Sequence, residues 1–452
     1  MRICYYGDDF TGSTDALEAL TTGGLRVILF MDIPDMALWK EKFAGYDGFG
    51  VAGVSRTMSP EDMERALRPV LTALRTFKAP ITHYKICSTF DSSPETGSIG
   101  KVIEIGREVF PEQRFTPLLA GSPILKRYTV FGNHFTAEGT DTVRLDRHPN
   151  MRKHPVTPMN EADLRVHLAE QTSCSIGLMN VLDLEQNGTM LEWRFNERLD
   201  NEPDILLFDV LTDDHLTKIG GLLEQESDKA PLFVVGSSGV EYAFVSHWRR
   251  SGLLPEASST PRMQAEPTDR VLVVSGSCSP ATEAQIEWAL AHGYAGIRVP
   301  ASIFFEDATD TTLPSLLQEA DRMLQAGKNV ILYTALGPHD ESIEQTQNRL
   351  RTRGLSLAAS GELIGGRLGE MARELVLSAG LKRVIFAGGD TSGFAVKRLN
   401  LYALEMIAPI VSGGPLCRAY SNDERIDGLQ VVLKGGQVGP PDFFDRVRRG
   451  IS

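Results

Sequence analysis

Arg2-Ile3-Cys4-Tyr5-Tyr6-Gly7-Asp8-Asp9-Phe10-Thr11-Gly12-Ser13-Thr14-Asp15 decides the architecture before the rest of the chain is read. An apolar run ends in glycine, a polar stretch follows, and a helical pattern begins. This strand–loop–helix order recurs. Further strands are expected at Arg26–Phe30, Gly48–Val54, Thr82–Cys87, Ser175–Asn180, Ile205–Val210 and Leu232–Val235. A helix is expected over Pro60–Phe77, opened by Ser59-Pro60-Glu61-Asp62: a cap, a proline at the first helical position and first-turn acids. The second half repeats the style, with strands at Val271–Val274, Gly296–Val299, Val330–Thr334, Val384–Ala387 and Leu429–Lys434. Helices there are expected near Thr282–His292, Thr312–Ala326 and Gly361–Leu377. Such alternation predicts an α/β fold of two domains, each with a mainly parallel sheet flanked by helices. Ser251–Asp269 is rich in Pro and Ser and lacks a sustained period, so it reads as a linker between domains at 1–250 and 270–452.

Composition narrows the function. The 452 residues carry 46 Lys+Arg against 59 Asp+Glu, a net charge of −13. That balance argues against a protein that wraps nucleic acid or coats an anionic membrane. A small anionic ligand is still allowed, because it feels the local site more than the total. Five scattered cysteines (Cys4, Cys87, Cys174, Cys278, Cys417) show no metal-ribbon or CxxC spacing and read as reduced thiols. Acid follows the first residues too soon for a signal peptide, and no apolar run is long enough to span a bilayer. The expectation is a cytoplasmic protein with small-molecule ligands, no nucleic-acid or membrane partner, and a homodimer left open.

Four loops carry candidate chemistry. Asp8 and Asp9 follow the first strand, where ligands bind in open α/β sheets. They can bind sugar hydroxyls, hold Mg²⁺ or take a proton from an alcohol; the plainer reading is a capped turn. Lys85, Ser88, Thr89 and Asp91 lie in a second polar loop suited to a polyhydroxylated ligand, or simply solvated. Cys87 in that loop reads as a small hydrophobe rather than a nucleophile. Arg127 and His134 mark a third loop, and Arg56 a fourth; each arginine is a candidate partner for a substrate carboxylate or else a surface residue.

In the second half, Ser275-Gly276-Ser277-Cys278-Ser279 and Gly388-Gly389-Asp390-Thr391 each lead from a strand into a helix. Small residues there expose backbone N–H groups at a positive helix end, which makes both turns natural phosphate cradles. Glycine pairs at Gly413-Gly414 and Gly435-Gly436 add to them, and together these features point to a nucleotide site. No GxxxxGK[ST] is present, and the one GxGxxG, Gly48–Gly53, falls inside a predicted strand. HExxH and GxSxG are also missing.

Taken in order, Asp8–Gly12, Lys85 with Ser88-Thr89, Gly236-Ser237-Ser238-Gly239, Ser275–Pro280, Gly388–Gly393 and Lys434–Gly439 resemble the four-carbon acid sugar kinase family over essentially the whole chain. The resemblance implies an N-terminal domain that binds a sugar acid, a C-terminal domain that binds ATP, and a substrate cleft between the two. It implies that Asp8, Asp9 and the Lys85–Asp91 loop face the acid, with Arg56 on its carboxylate. It also implies that Ser275, Ser277, Ser279, Gly388, Gly389, Asp390, Thr391 and Gly413 contact the nucleotide. The family pattern reads Lys-x-Asp-Ser-Thr-Leu-Arg-Gly-Asn or close to it. Here Cys87 stands at the Asp and Asp91 at the Arg, so the loop should read different substrate groups. A divergent branch is implied, acting on an oxo or branched acid of the 3-oxo-isoapionate type rather than plain threonate or erythronate. The expected reaction moves the ATP γ-phosphoryl group to a hydroxyl of a small sugar acid. Asp8, Asp9 or Asp91 would take the proton, Arg56, Lys85 and Arg127 would hold the carboxylate, and Asp390 would act through Mg²⁺. Two rivals stand beside this reading: a sugar-acid isomerase or aldolase, and a non-catalytic sensor of sugar acid or nucleotide.

Overall fold

Short runs of β-branched and aromatic residues with no polar alternation suit strands covered by helices on both faces. The computed structural model describes residues 1–154, 156–255, 263–305, 312–355 and 357–452, and among these not the side chains of Leu357, Ala358, Ala359 and Asp390. Its strands are β1 (Ile3–Gly7), β2 (Val27–Phe30), β3 (Gly48–Ala52), β4 (Ile81–Lys85), β5 (Thr116–Leu119), β6 (Arg127–Val130), β7 (Asn133–Glu138), β8 (Asp141–Arg144) and β9 (Ile176–Met179). They continue as β10 (Ile205–Phe208), β11 (Leu232–Gly236), β12 (Leu272–Ser275), β13 (Ala295–Arg298), β14 (Val330–Tyr333), β15 (Arg383–Ala387), β16 (Leu401–Ala408), β17 (Leu416–Ser421) and β18 (Gln430–Lys434).

Packing divides the chain into two units. The first comprises Met1–Asp8, Ala19–Val27 and Asp32–Thr260; the second comprises Asp9–Glu18, Ile28–Met31 and Pro261–Ser452. The predicted linker, 251–269, falls in part on residues 256–262, outside the described residues.

In the first unit the strands run β3-β1-β4-β11-β5-β10-β9, every pair parallel. Register puts Gly7 opposite Ala52 and Lys85, and Gly236 opposite Lys85 and Leu119. The loops after β1, β3, β4, β5 and β11 therefore leave the sheet at one edge. A separate antiparallel sheet, β6-β7-β8, carries Arg127 opposite Thr136. The helix Pro60–Thr76 begins as expected, with Ser59 Oγ accepting the Asp62 N–H at 3.2 Å.

In the second unit the order is β13-β14-β12-β15-β18-β17-β16-β2. The pairs from β13 to β18 are parallel and the rest antiparallel. Ser275 lies opposite Ala387, and Ala387 opposite Lys434, so three turns leave this sheet together. Below them Val271, Val273, Ile286, Ile331, Ile385, Val432, Phe443, Phe444 and Val447 form a solvent-free core. Among the described residues no helix is long and apolar enough to cross a membrane.

Candidate functional site

In the first unit, polar groups gather where β1, β4, β5 and β11 end. The Asp8 N–H donates to Lys85 O at 2.9 Å, and Asp8 O accepts the Arg56 N–H at 3.1 Å. The Arg56 guanidinium grips the Asp8 carboxylate with both prongs, Nη2 to Oδ1 at 2.7 Å and Nε to Oδ2 at 3.1 Å. The arginine expected to meet a substrate carboxylate thus has an internal one. Lys85 is buried, its Nζ donating to Ile86 O at 3.1 Å. Asp9, in the second unit, behaves as the plainer reading holds. Its Oδ1 accepts the Gly12 N–H at 2.7 Å and its Oδ2 the Thr11 hydroxyl at 2.8 Å, at the start of the helix Phe10–Thr22.

The variant loop holds a directional chain. The Thr89 hydroxyl donates to Asp91 Oδ1 at 2.8 Å, so the Cys87 thiol, 2.9 Å from Thr89 Oγ1, is the donor in its own contact. Burial, and then the charge of Asp91, push the Cys87 thiol up to about 11, so it stays protonated and is no nucleophile. Phe90 between them is buried with φ +58°, a left-handed conformation that a bulky residue keeps only where its surroundings enforce it.

Arg127 opens β6 with Nη1 donating to Leu125 O at 2.9 Å, while its buried Nε has no partner among the described residues. Burial lowers its pKa, and the charge of Asp91 acts in the opposite sense, so it faces the variant loop. His134 is structural. Its Nε2–H donates to Ser88 O at 2.8 Å, which leaves Nδ1 to accept from Thr129 Oγ1 at 2.9 Å, and burial holds its pKa down at about 4. It fixes Ser88 and carries no charge near neutral pH. Two serines that the sequence did not single out as site residues stand out here. Ser122 Oγ and Ser238 Oγ are fully buried without a partner among the described residues. Their segments touch: a Cβ on Gly239 would lie 2.1 Å from Gly121 O. The runs of small residues after β5 and β11 were the available signal.

In the second unit, Ser279 caps the helix Pro280–Ala291, its Oγ accepting the Thr282 N–H at 3.2 Å. Ser279 Oγ and Thr282 Oγ1 both donate to Gly436 O, at 2.5 and 2.9 Å, tying the first turn to the third. Ser277 Oγ donates to Ser279 Oγ at 3.3 Å, and the Ser277 N–H to Ser275 Oγ at 3.4 Å. The second turn presses on the first, since a Cβ on Gly276 would meet the Thr391 side chain at 2.6 Å. Gly388 opens the helix Gly389–Lys397 at φ +129°, which L side chains rarely adopt, and donates its N–H to Lys434 O at 3.0 Å. Gly413 donates its N–H to Glu18 Oε2 at 2.8 Å. Burial, with help from Asp15 and against that N–H, pushes Glu18 up to about 8. Asp390 lies in the second turn, its side chain outside those described. Among the described residues no group of three or more His, Cys, Asp or Glu is placed to hold a metal ion. A phosphate-bound Mg²⁺ needs no such cage, because one or two carboxylates and the phosphates suffice.

Residues 3–244 match the model of a sugar-binding N-terminal domain, and residues 272–444 that of a nucleotide-binding C-terminal domain. The chain is 42% identical to a 3-oxo-isoapionate kinase of Paraburkholderia graminis, covering 100% of this chain and 94% of that protein. It is 30% identical to a 3-oxo-tetronate kinase of Pseudomonas fluorescens, covering 97% of this chain and 94% of the relative. Among solved structures, a Salmonella typhimurium protein superposes with TM-score 0.78 at 24% identity, covering 100% of both chains. A Haemophilus influenzae protein does so with TM-score 0.72 at 22% identity, covering 98% of this chain and 99% of that one. These two establish the α/β fold.

Proposed function

The chain belongs to the four-carbon acid sugar kinase family and is an ATP-dependent sugar-acid kinase; from that premise we propose that its acceptor is a branched 3-oxo acid of the 3-oxo-isoapionate type. The observation that carries this is the 42% identity along the whole chain to a 3-oxo-isoapionate kinase, against 30% to a 3-oxo-tetronate kinase. The isomerase, aldolase and sensor readings give way to the family assignment.

In this proposal the first unit reads the acid and the second holds the nucleotide. Arg127 supplies the guanidinium for the carboxylate, since Arg56 is engaged by Asp8. The unpartnered Ser122 and Ser238 hydroxyls, with the Cys87 thiol, read oxo and hydroxyl groups. A buried hydroxyl without a partner costs about 1–3 kcal/mol, which a ligand atom recovers. Of the three candidate acids, Asp9 serves a helix start and Asp8 is clamped. Asp91 accepts from Thr89 and keeps lone pairs for a substrate hydroxyl, so it takes the proton. The acceptor oxygen bonds to the γ-phosphorus, the bridging P–O bond breaks, and ADP leaves with the electron pair. Backbone amides of Gly389 and Thr391, in the turn that Gly388 shapes, and the Ser275–Ser279 turn cradle the phosphates. Mg²⁺ would be held by Asp390 with phosphate oxygens and would neutralise charge on the transferred group.

ADP release measured across 3-oxo-isoapionate, 3-oxo-tetronates and plain tetronates tests the acceptor. The expected result is a kcat/KM for 3-oxo-isoapionate at least about tenfold above the others. Faster turnover of a 3-oxo-tetronate or a tetronate overturns the assignment.

A further inference from the structure

Lys434 ends β18 with its side chain fully buried. Its Nζ donates to Thr282 Oγ1 at 2.9 Å and to Gly436 O at 3.3 Å, and the Phe443 ring centroid lies 6.0 Å away. None of these groups carries charge. Around it the helix Pro280–Ala291 offers Thr282 and its cap Ser279, the 435–439 turn offers carbonyls, and the helix Phe443–Arg449 offers a phenyl ring. The helix Gly389–Lys397 also packs on β18, and its one acid, Asp390, has a side chain outside those described. Among the described residues no carboxylate pairs with Lys434. Burying an ammonium without a counter-charge is costly.

The address raises that cost. Thr282 is the third residue of a helix, where the dipole is positive and repels a cation. Lys434 O accepts the N–H of Gly388, which opens a second helix of the same polarity. In that helix Ser392 Oγ is fully buried and has no partner among the described residues. A cation and two positive helix ends converge, and an unsatisfied hydroxyl belongs to one of those helices. Every one of these penalties reverses when a polyanion binds.

We propose that Lys434 is the counter-charge of the nucleotide's phosphates, a binding role that the sequence motifs do not assign to it. The inference rests on the nucleotide reading of the second unit and deepens it. Burial brings the Lys434 ammonium down to about 7, so near neutral pH the empty site holds it partly as the amine. The amine keeps both contacts, since its two N–H groups donate to Thr282 Oγ1 and to Gly436 O. Bound phosphates favour the ammonium, so the lysine takes one proton from the buffer as the nucleotide enters.

Calorimetric titration of ADP at about pH 8, in two buffers of different ionisation enthalpy, reads that proton directly. Wild-type protein is expected to take up most of one proton per ADP. Lys434→Arg, which stays charged, is expected to abolish the uptake and keep affinity within a few-fold. Lys434→Met is expected to weaken ADP at least about tenfold. The wild-type KM for ATP should rise above about pH 7 at constant kcat, a split that a purely structural lysine does not produce and that needs no variant. Unchanged proton uptake in Lys434→Arg, wild-type ADP affinity in Lys434→Met, or a flat KM profile overturns the proposal. Wild-type protein that binds no ADP at all overturns the nucleotide reading beneath it, which separates the two failures.

Discussion

At the scale of single residues, charge has been moved around the loop proposed to read the acid rather than removed from it. Asp91 stands where an arginine is usual, and Arg127, arriving from β6, feels the charge of Asp91. A guanidinium is again present, but it approaches from another strand, and the change of direction alters which acid fits. Two measurements follow. Asp91→Asn keeps the shape and removes the base, so kcat should fall by about 10²–10⁴ with KM nearly unchanged; an intact kcat would take the proton away from Asp91. Arg127→Lys keeps the charge and loses the planar fork, so the acid's KM should rise about tenfold or more while ADP binds as before. Steady-state kinetics with each substrate varied in turn separates these effects. The sequence named both residues as candidates and also named Arg56, whose partner it did not show. Arg56 and Asp8 are 48 positions apart. They meet because β1 and β3 are neighbours with Gly7 opposite Ala52, and pairing of that kind is not written in local composition.

Elements were read unevenly, for physical reasons. Strands buried on both faces announce themselves as apolar runs, and β1, β10, β12, β14 and β15 are such runs. The sheet β6-β7-β8 was not expected, because its strands are short, half-exposed and polar. β5 was hidden by Pro117, and β16 and β17 by their alternating burial. The phosphate turns were readable because glycine and serine runs are local signals. The role of Lys434 was not: among the described residues it has no anionic partner, and only the packed turn shows that. The second turn gives this scale its prediction. Gly388 holds φ +129°, and a Cβ there would stand 3.3 Å from Ser277 N, against the turn it must meet. Gly388→Ala should therefore weaken ADP at least about tenfold through backbone strain of about 1–3 kcal/mol, leaving binding of the sugar acid intact. A thermal-shift series with ADP and with the acid measures both, and an unchanged ADP-induced shift would show that the conformation of Gly388 is not needed.

Over the whole molecule, an excess of acid coexists with a buried lysine, Lys434, that has no carboxylate partner among the described residues, and the second unit also buries an acid, Glu18. Their titrations bend stability in opposite directions. Glu18 is raised from 4.5 to about 8, so its contribution is fully present below about pH 4.5 and is lost as pH climbs to 8. Lys434 is lowered from 10.5 to about 7, so its buried charge weighs on the fold below 7 and that burden lifts between 7 and 10.5. His134, held neutral by burial at about 4, matters only below its ordinary value near 6.5, and Asp209, raised to about 6, has finished titrating above that. Between about pH 6.5 and 9, below the range where the buried thiols begin to weigh, the first two groups dominate the described shifts, and they predict a shallow minimum of stability near pH 7–8 in the absence of nucleotide. Each pKa unit is worth about 1.4 kcal/mol, so both effects are on the order of a few kcal/mol. Glu18→Gln keeps an oxygen to accept the Gly413 N–H and removes the ionisation. It should melt several degrees above wild type at pH 8 and no higher at pH 5, with the minimum replaced by a steady rise. ADP, by restoring a counter-charge to Lys434, should raise the melting temperature most where the empty protein is weakest. Melting curves from pH 5 to 9, with and without ADP, measure all of this; a Glu18→Gln variant that tracks wild type at pH 8 would show that Glu18 ionises as an ordinary carboxylate.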